Sequence, residues 1–162
     1  MRNILCVGDS LTAGYFNYLE NHINSNNINI SKINFDGFCV NEILNFLKEN
    51  YNCLYNTEII LLCGTNDLGD IDYNENETIS EYKNLYNILD KLGTRKLYQL
   101  SIPYNKLDKF EEEYINKTNL NFNIKQLGFK NKIFIDLNLS KCNYLNQEKQ
   151  ESYWKIVSII QI

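Results

Sequence analysis

The residues best suited to chemistry sit in two loops. Ser10 stands in Gly8-Asp9-Ser10-Leu11, directly after the apolar run Ile4–Val7 and before a helical pattern. A serine at a strand-to-helix turn is presented at the edge of a sheet. The helix behind it offers unpaired N–H groups and the positive end of a dipole, both suited to an oxyanion. Asn66 stands in Gly64-Thr65-Asn66-Asp67, directly after the run Glu58–Cys63, where its side-chain amide can aim an N–H into the same cleft. The chemistry suggested is acyl transfer through a serine. Each motif also has a plain structural reading: Asp9 or Ser10 as a helix N-cap, and residues 64–67 as a turn.

Proton transfer is less well provided for. His22 is the one histidine of the chain. It lies twelve residues beyond Ser10 on the same helical pattern, which puts it about 18 Å down the axis. A general base must come within roughly 2.6–3.2 Å, or one bridging water, so His22 reads as an ordinary helix residue. Asp67 and Asp136 are the carboxylates the topology brings nearest, and each also suits a turn or cap.

These loops need a frame that gathers them. Apolar runs at 3–7, 28–35, 58–63, 96–102 and 132–137 read as strands, and the run Glu58–Cys63 is apolar enough to be buried on both faces, as in a parallel sheet. Helical periodicity marks 11–23, 40–47, 78–92, 110–127 and 147–160, with Tyr82, Leu85 and Leu89 forming one stripe and Gly93 ending that helix. Strands alternating with helices predict an α/β fold: a three-layer α/β/α sandwich with a five-stranded parallel sheet, flavodoxin-like in topology, as a single domain over residues 1–162. Ligands of such sheets bind beyond the carboxyl ends of the strands. The loops at 8–10, 36–38, 64–67, 103–107 and 138–144 all fall there.

Gly8-Asp9-Ser10-Leu11 after the first strand and Gly64-Thr65-Asn66-Asp67 after the third, in this order, resemble two of the sequence blocks of the SGNH (GDSL-type) hydrolase superfamily. Asn34-Phe35-Asp36-Gly37-Phe38 after the second strand resembles the block between them, although Cys39-Val40 follows where that family often has a second small residue. Ser101-Ile102-Pro103 resembles the end of its fourth strand. The resemblance covers about residues 1–137. It implies Ser10 as nucleophile, with the N–H groups of Ser10 and Gly37 and the amide of Asn66 as oxyanion hole. Asp9 and Asp67 would support the loops. It further implies ester or thioester substrates, small molecules such as acylated sugars or lipids, and no metal or organic cofactor.

The family's last block, Asp-x-x-His before the final helix, is not found. Lys141-Cys142-Asn143-Tyr144 occupies its place; a lysine cannot orient an imidazole, and a tyrosine with an ordinary pKa near 10 is a poor base. Two expectations follow: a serine esterase with an impaired proton-transfer half, or an inactive relative serving as a ligand-binding or interaction module. A nucleotide or flavin binder of the same topology would need a Ser/Thr/Gly-rich phosphate loop after the first strand, and Asp9 argues against one.

Composition closes off other classes. Of the 162 residues, 44% are hydrophobic and 13% aromatic, which supports a packed core. The net charge is −4 and no basic block interleaves with aromatics, so no nucleic-acid partner is expected. No apolar run approaches the ~18–20 residues of a membrane span, and the first residues lack a signal-peptide pattern. Cysteines at 6, 39, 53, 63 and 142 form no CxxC pair. Reduced thiols, no metal and a cytoplasmic location are the expectation.

Overall fold

The computed structural model describes residues 1–23, 25–104, 111–138 and 146–161, the side chains of 111 and 146–151 excepted. The elements are β1 (Arg2–Gly8), α1 (Leu11–His22), β2 (Ile28–Asn34), α2 (Val40–Asn50), β3 (Thr57–Leu62), α3 (Thr65–Leu68), α4 (Glu75–Lys91), β4 (Lys96–Leu100), α5 (Glu111–Gln126), β5 (Lys132–Ile135) and α6 (Asn146–Ile160). The five strands form one sheet in the order β2-β1-β3-β4-β5, and every pair is parallel. This is the α/β architecture predicted.

The three layers follow from strand alternation. Successive side chains of a strand point to opposite faces. Leu5, Val7, Ile59, Leu61 and Leu97 pack with Ile43 and Leu47 of α2, Leu85 and Leu89 of α4, and Leu120 and Ile124 of α5. Their neighbours Ile4, Cys6, Ile60, Leu62 and Tyr98 turn the other way, against Tyr15, Phe16 and Leu19 of α1 and Ile156, Val157 and Ile160 of α6. The central strands are therefore apolar on both faces, which is why Glu58–Cys63 reads as an unbroken run.

Some elements differ from the sequence reading. Residues 65–68, read as a turn, wind into α3; four residues are too few to show a period. Helix α4 begins at Glu75 rather than 78 because Asn74 caps it, its side chain accepting from Glu77 N–H at 3.1 Å. The buried face of α1 includes Thr12 and Phe16, with His22 half-buried at its far end. Trp154 of α6 is half exposed.

At the edge opposite the strands' carboxyl ends, Arg2 Nε and Nη2 donate to both oxygens of Glu58 at 3.0 and 2.7 Å, and Tyr98 Oη donates to the same carboxylate. Arg2 Nη1 also donates to the Ile160 carbonyl. Burial pushes the Glu58 carboxyl up, but these donors outweigh it and hold it below its ordinary value.

Candidate active site

Register gathers the loops. Gly8 lies opposite Asn34 of β2 and Leu62 of β3. Phe35 N–H donates to Gly8 O, and Asp9 N–H to Leu62 O, each at 3.1 Å. The chain after β1, β2 and β3 thus leaves the sheet at a common edge. Gly8 is required there: a Cβ would fall 1.9 Å from the Leu62 carbonyl oxygen and 2.5 Å from Thr12 Oγ1.

Ser10 is exposed and stands at the start of α1, already in helical conformation. Its hydroxyl makes no capping bond. Asp9 caps in its place, Oδ1 accepting from Leu11 N–H at 3.0 Å. The two structural readings of this motif are thereby separated. Asp9 is fully buried and holds the turn, while the Ser10 hydroxyl is exposed and has no hydrogen-bond partner among the described residues. Ser10 N–H donates to no described residue.

Gly37 lies in a turn closed by Phe38 N–H donating to Phe35 O at 3.4 Å. Its φ of +79° is the left-handed geometry that the third position of such a turn requires. It is exposed, with nothing within 4 Å of where a Cβ would stand. Asn66, on α3, donates from Nδ2 to the carbonyl of Phe38 at 2.8 Å. That bond spends one amide hydrogen of two and ties the Asn66 loop to the Gly37 turn.

The other expected residues have structural partners. Asp67 is buried and accepts from Val40 N–H at 3.3 and 3.1 Å, capping α2. Burial pushes its carboxyl up, partly offset by that bond. Asp136 Oδ1 accepts from Ser101 Oγ at 3.1 Å and Asn138 N–H at 2.9 Å, joining the ends of β4 and β5. His22 donates from Nδ1 to Tyr18 O at 2.8 Å and stacks on the Tyr18 ring at the far end of α1. Lys141–Tyr144, the stretch standing for the missing block, lies outside the described residues.

A cleft of about 430 Å³ beside Asp67 is lined by Cys39, Glu42, Asp67, Asp70, Glu77 and Glu81 among others, and among the described residues no Lys or Arg lines it. Burial and the carboxylates of Asp67 and Glu42 push the Cys39 thiol up to about 11, so Cys39 is not a thiolate at neutral pH. A larger cleft of about 680 Å³ surrounds Arg2, Glu58 and Lys96 at the opposite edge and includes none of the candidate residues.

Sequence reasoning does not single out Thr65 or the Phe38 carbonyl. Thr65 packs beside Asp9 and lowers the cost of its charge. Being part of Gly64-Thr65-Asn66-Asp67 is its only signal; a backbone carbonyl carries none.

No family model matches the sequence, and no curated protein does. Solved structures do match over nearly the whole chain. A member of the lipolytic protein G-D-S-L family from Veillonella parvula superposes with a TM-score of 0.79 at 15% identity, over 99% of both chains. The lipase Lip_vut3 from a goat rumen metagenome gives 0.72 at 17%, over 97% of both. An acetyl xylan esterase from Geobacillus stearothermophilus gives 0.70 at 14%, over 96% of this chain and 91% of its own. The chain has the fold of the SGNH hydrolases.

Proposed function

We propose that this protein is a serine ester hydrolase acting on a small-molecule ester, an acylated sugar or a lipid, with Ser10 as nucleophile. The observation that carries the reading is the division of labour after β1: Asp9 takes the capping bond, so Ser10 keeps an exposed hydroxyl with no partner among the described residues at a helix N-terminus. Gly37 and Asn66 leave the same sheet edge and are tied together through Phe38 O. Ser10 Oγ would attack the ester carbon, and the N–H groups of Ser10 and Gly37 with the remaining amide hydrogen of Asn66 would hold the tetrahedral oxyanion. The serine proton passes through solvent water to the leaving oxygen, collapse expels the alcohol, and a second water then cleaves the acyl-enzyme, releasing the acid and restoring the Ser10 hydroxyl.

Proton transfer is the weak half. The described carboxylates Asp67 and Asp136 are engaged elsewhere, and His22 is at the wrong end of α1. An oxyanion hole and binding alone sustain roughly 10³–10⁴-fold acceleration in serine hydrolases that lack a triad member, so slow turnover is the expectation. The same observation favours a second reading, an inactive module that binds ligands or partners on this fold. Hydrolysis of p-nitrophenyl acetate by the wild type and by Ser10→Ala decides between them. A wild-type rate well above that of the variant supports the hydrolase; equal rates leave the binding module.

A further inference from the structure

Among the described residues, three polar atoms around the start of α1 are buried without hydrogen-bond partners: Asp9 Oδ2, Thr12 Oγ1 and Thr65 Oγ1. Asp9 is the unusual one. It is fully buried, directly precedes Ser10, and half of its carboxylate is unsatisfied. A buried carboxylate normally fills both oxygens with donors. Here Oδ1 has Leu11 N–H. The Thr65 hydroxyl and N–H lie close enough to favour the charge without completing a bond to Oδ2. The Thr65 hydroxyl is itself a buried group lacking an acceptor or donor.

We propose that Asp9 is a positioning residue that works as a proton-operated switch on the Ser10 turn. Ionised, it places a negative charge beneath the helix N-terminus that would hold the oxyanion. Protonated by a proton from solvent, it keeps Leu11 N–H on Oδ1 and leaves the N-terminus free of that charge. The inference rests on the hydrolase reading for its effect on chemistry, but the switch itself does not.

The surroundings suit such a switch. The titratable groups coupled to Asp9 are Tyr15 of α1, Cys63 after β3 and Asp67 of α3. Among the described residues none of these is a cation, and no described counter-ion holds the carboxylate charged. Burial pushes the Asp9 carboxyl up to about 6, with Leu11 N–H and Thr65 partly offsetting it. The change therefore falls inside the pH range where esterases are assayed.

Two measurements test it on the full chain. The backbone amides of Ser10 and Leu11, followed by NMR from pH 4.5 to 8, should titrate with a midpoint near 6 in the wild type and not in Asp9→Asn. Flat shifts in the wild type overturn the switch. Thr65→Val, which removes the hydroxyl and keeps the shape, should move the midpoint upward and serves if Asp9→Asn fails to fold; an unmoved midpoint counts against the Asp9–Thr65 pairing. The second measurement is the rate at which a fluorophosphonate labels Ser10, as the ratio of Asp9→Asn to wild type. That ratio should be near one at pH 5 and rise to about tenfold by pH 8, since a group with a pKa near 6 is almost wholly ionised there. A ratio independent of pH overturns the coupling to the oxyanion. Absence of labelling in both proteins at every pH instead overturns the hydrolase reading, and the amide titration then decides the switch alone.

Discussion

Asn66 donates to the carbonyl of Phe38 at 2.8 Å. This one bond joins the loop after β3 to the turn after β2, and so couples two of the three groups assigned to the oxyanion hole. Removing the Asn66 side chain should therefore do two things. It deletes a donor, which in comparable sites costs about 10²–10³-fold in kcat, and it loosens the Gly37 turn. Asn66→Ala should lower kcat for p-nitrophenyl acetate by at least that factor with a small change in KM. A change confined to KM would place Asn66 in ground-state binding instead.

The two loop glycines should respond differently to alanine. At Gly8 a methyl group would meet the Leu62 carbonyl at 1.9 Å, a backbone atom that cannot move aside. Gly8→Ala should destabilise by at least about 3 kcal/mol. Gly37 has open space around it, and only its φ of +79° resists a side chain, at about 1 kcal/mol. Denaturant unfolding of the two variants should rank them in that order.

Asp9 should also make stability depend on pH. Its carboxyl is raised in the fold to about 6 from an ordinary 3.8, so its ionisation opposes folding. The stabilisation is complete below the ordinary value and is lost as pH rises through 6, the reverse of a salt-bridged carboxylate. Asp9→Asn keeps the Leu11 acceptor and never ionises. It should be more stable than the wild type by about 2 to 3 kcal/mol at pH 7.5, with the gap closing below pH 4. Melting temperatures of both proteins across pH 4–8 check this.

Arg2 and Glu58 should behave in the opposite sense. Glu58 is buried and held below its ordinary pKa by Arg2 and Tyr98. Arg2→Ala leaves that buried carboxylate with the Tyr98 hydroxyl as its remaining described donor and should cost about 2–3 kcal/mol at pH 7. The loss should shrink as pH falls below the ordinary carboxylate range and Glu58 becomes neutral in the variant. Chemical denaturation at pH 7 and pH 4 measures both arms.

The fold was legible where burial writes a pattern into the chain. Glu58–Cys63 is apolar throughout because β3 is covered on both faces, and Tyr82, Leu85 and Leu89 recur at helical spacing because α4 is covered on one. Helix α3 was not, since four residues cannot display a period. Thr12 was not, because it is buried by the close approach of α1 to Gly8 rather than by its own polarity. At the candidate site, the residue types at 10, 37 and 66 could be read directly. The partition between Asp9 as cap and Ser10 as nucleophile was implied there only by the family resemblance, because by residue type both suit an N-cap and geometry chooses between them.

His22 is the one imidazole in the chain, and it stacks on Tyr18 at the end of α1 remote from Ser10. Diethyl pyrocarbonate, which silences serine hydrolases by acylating their catalytic histidine, has a single imidazole to find here and finds it in the wrong place. Full modification should leave esterase turnover and Ser10 labelling unchanged. A reagent that elsewhere acts as an inhibitor becomes, for this protein, the control that separates any hydrolysis of its own from that of a contaminating triad enzyme.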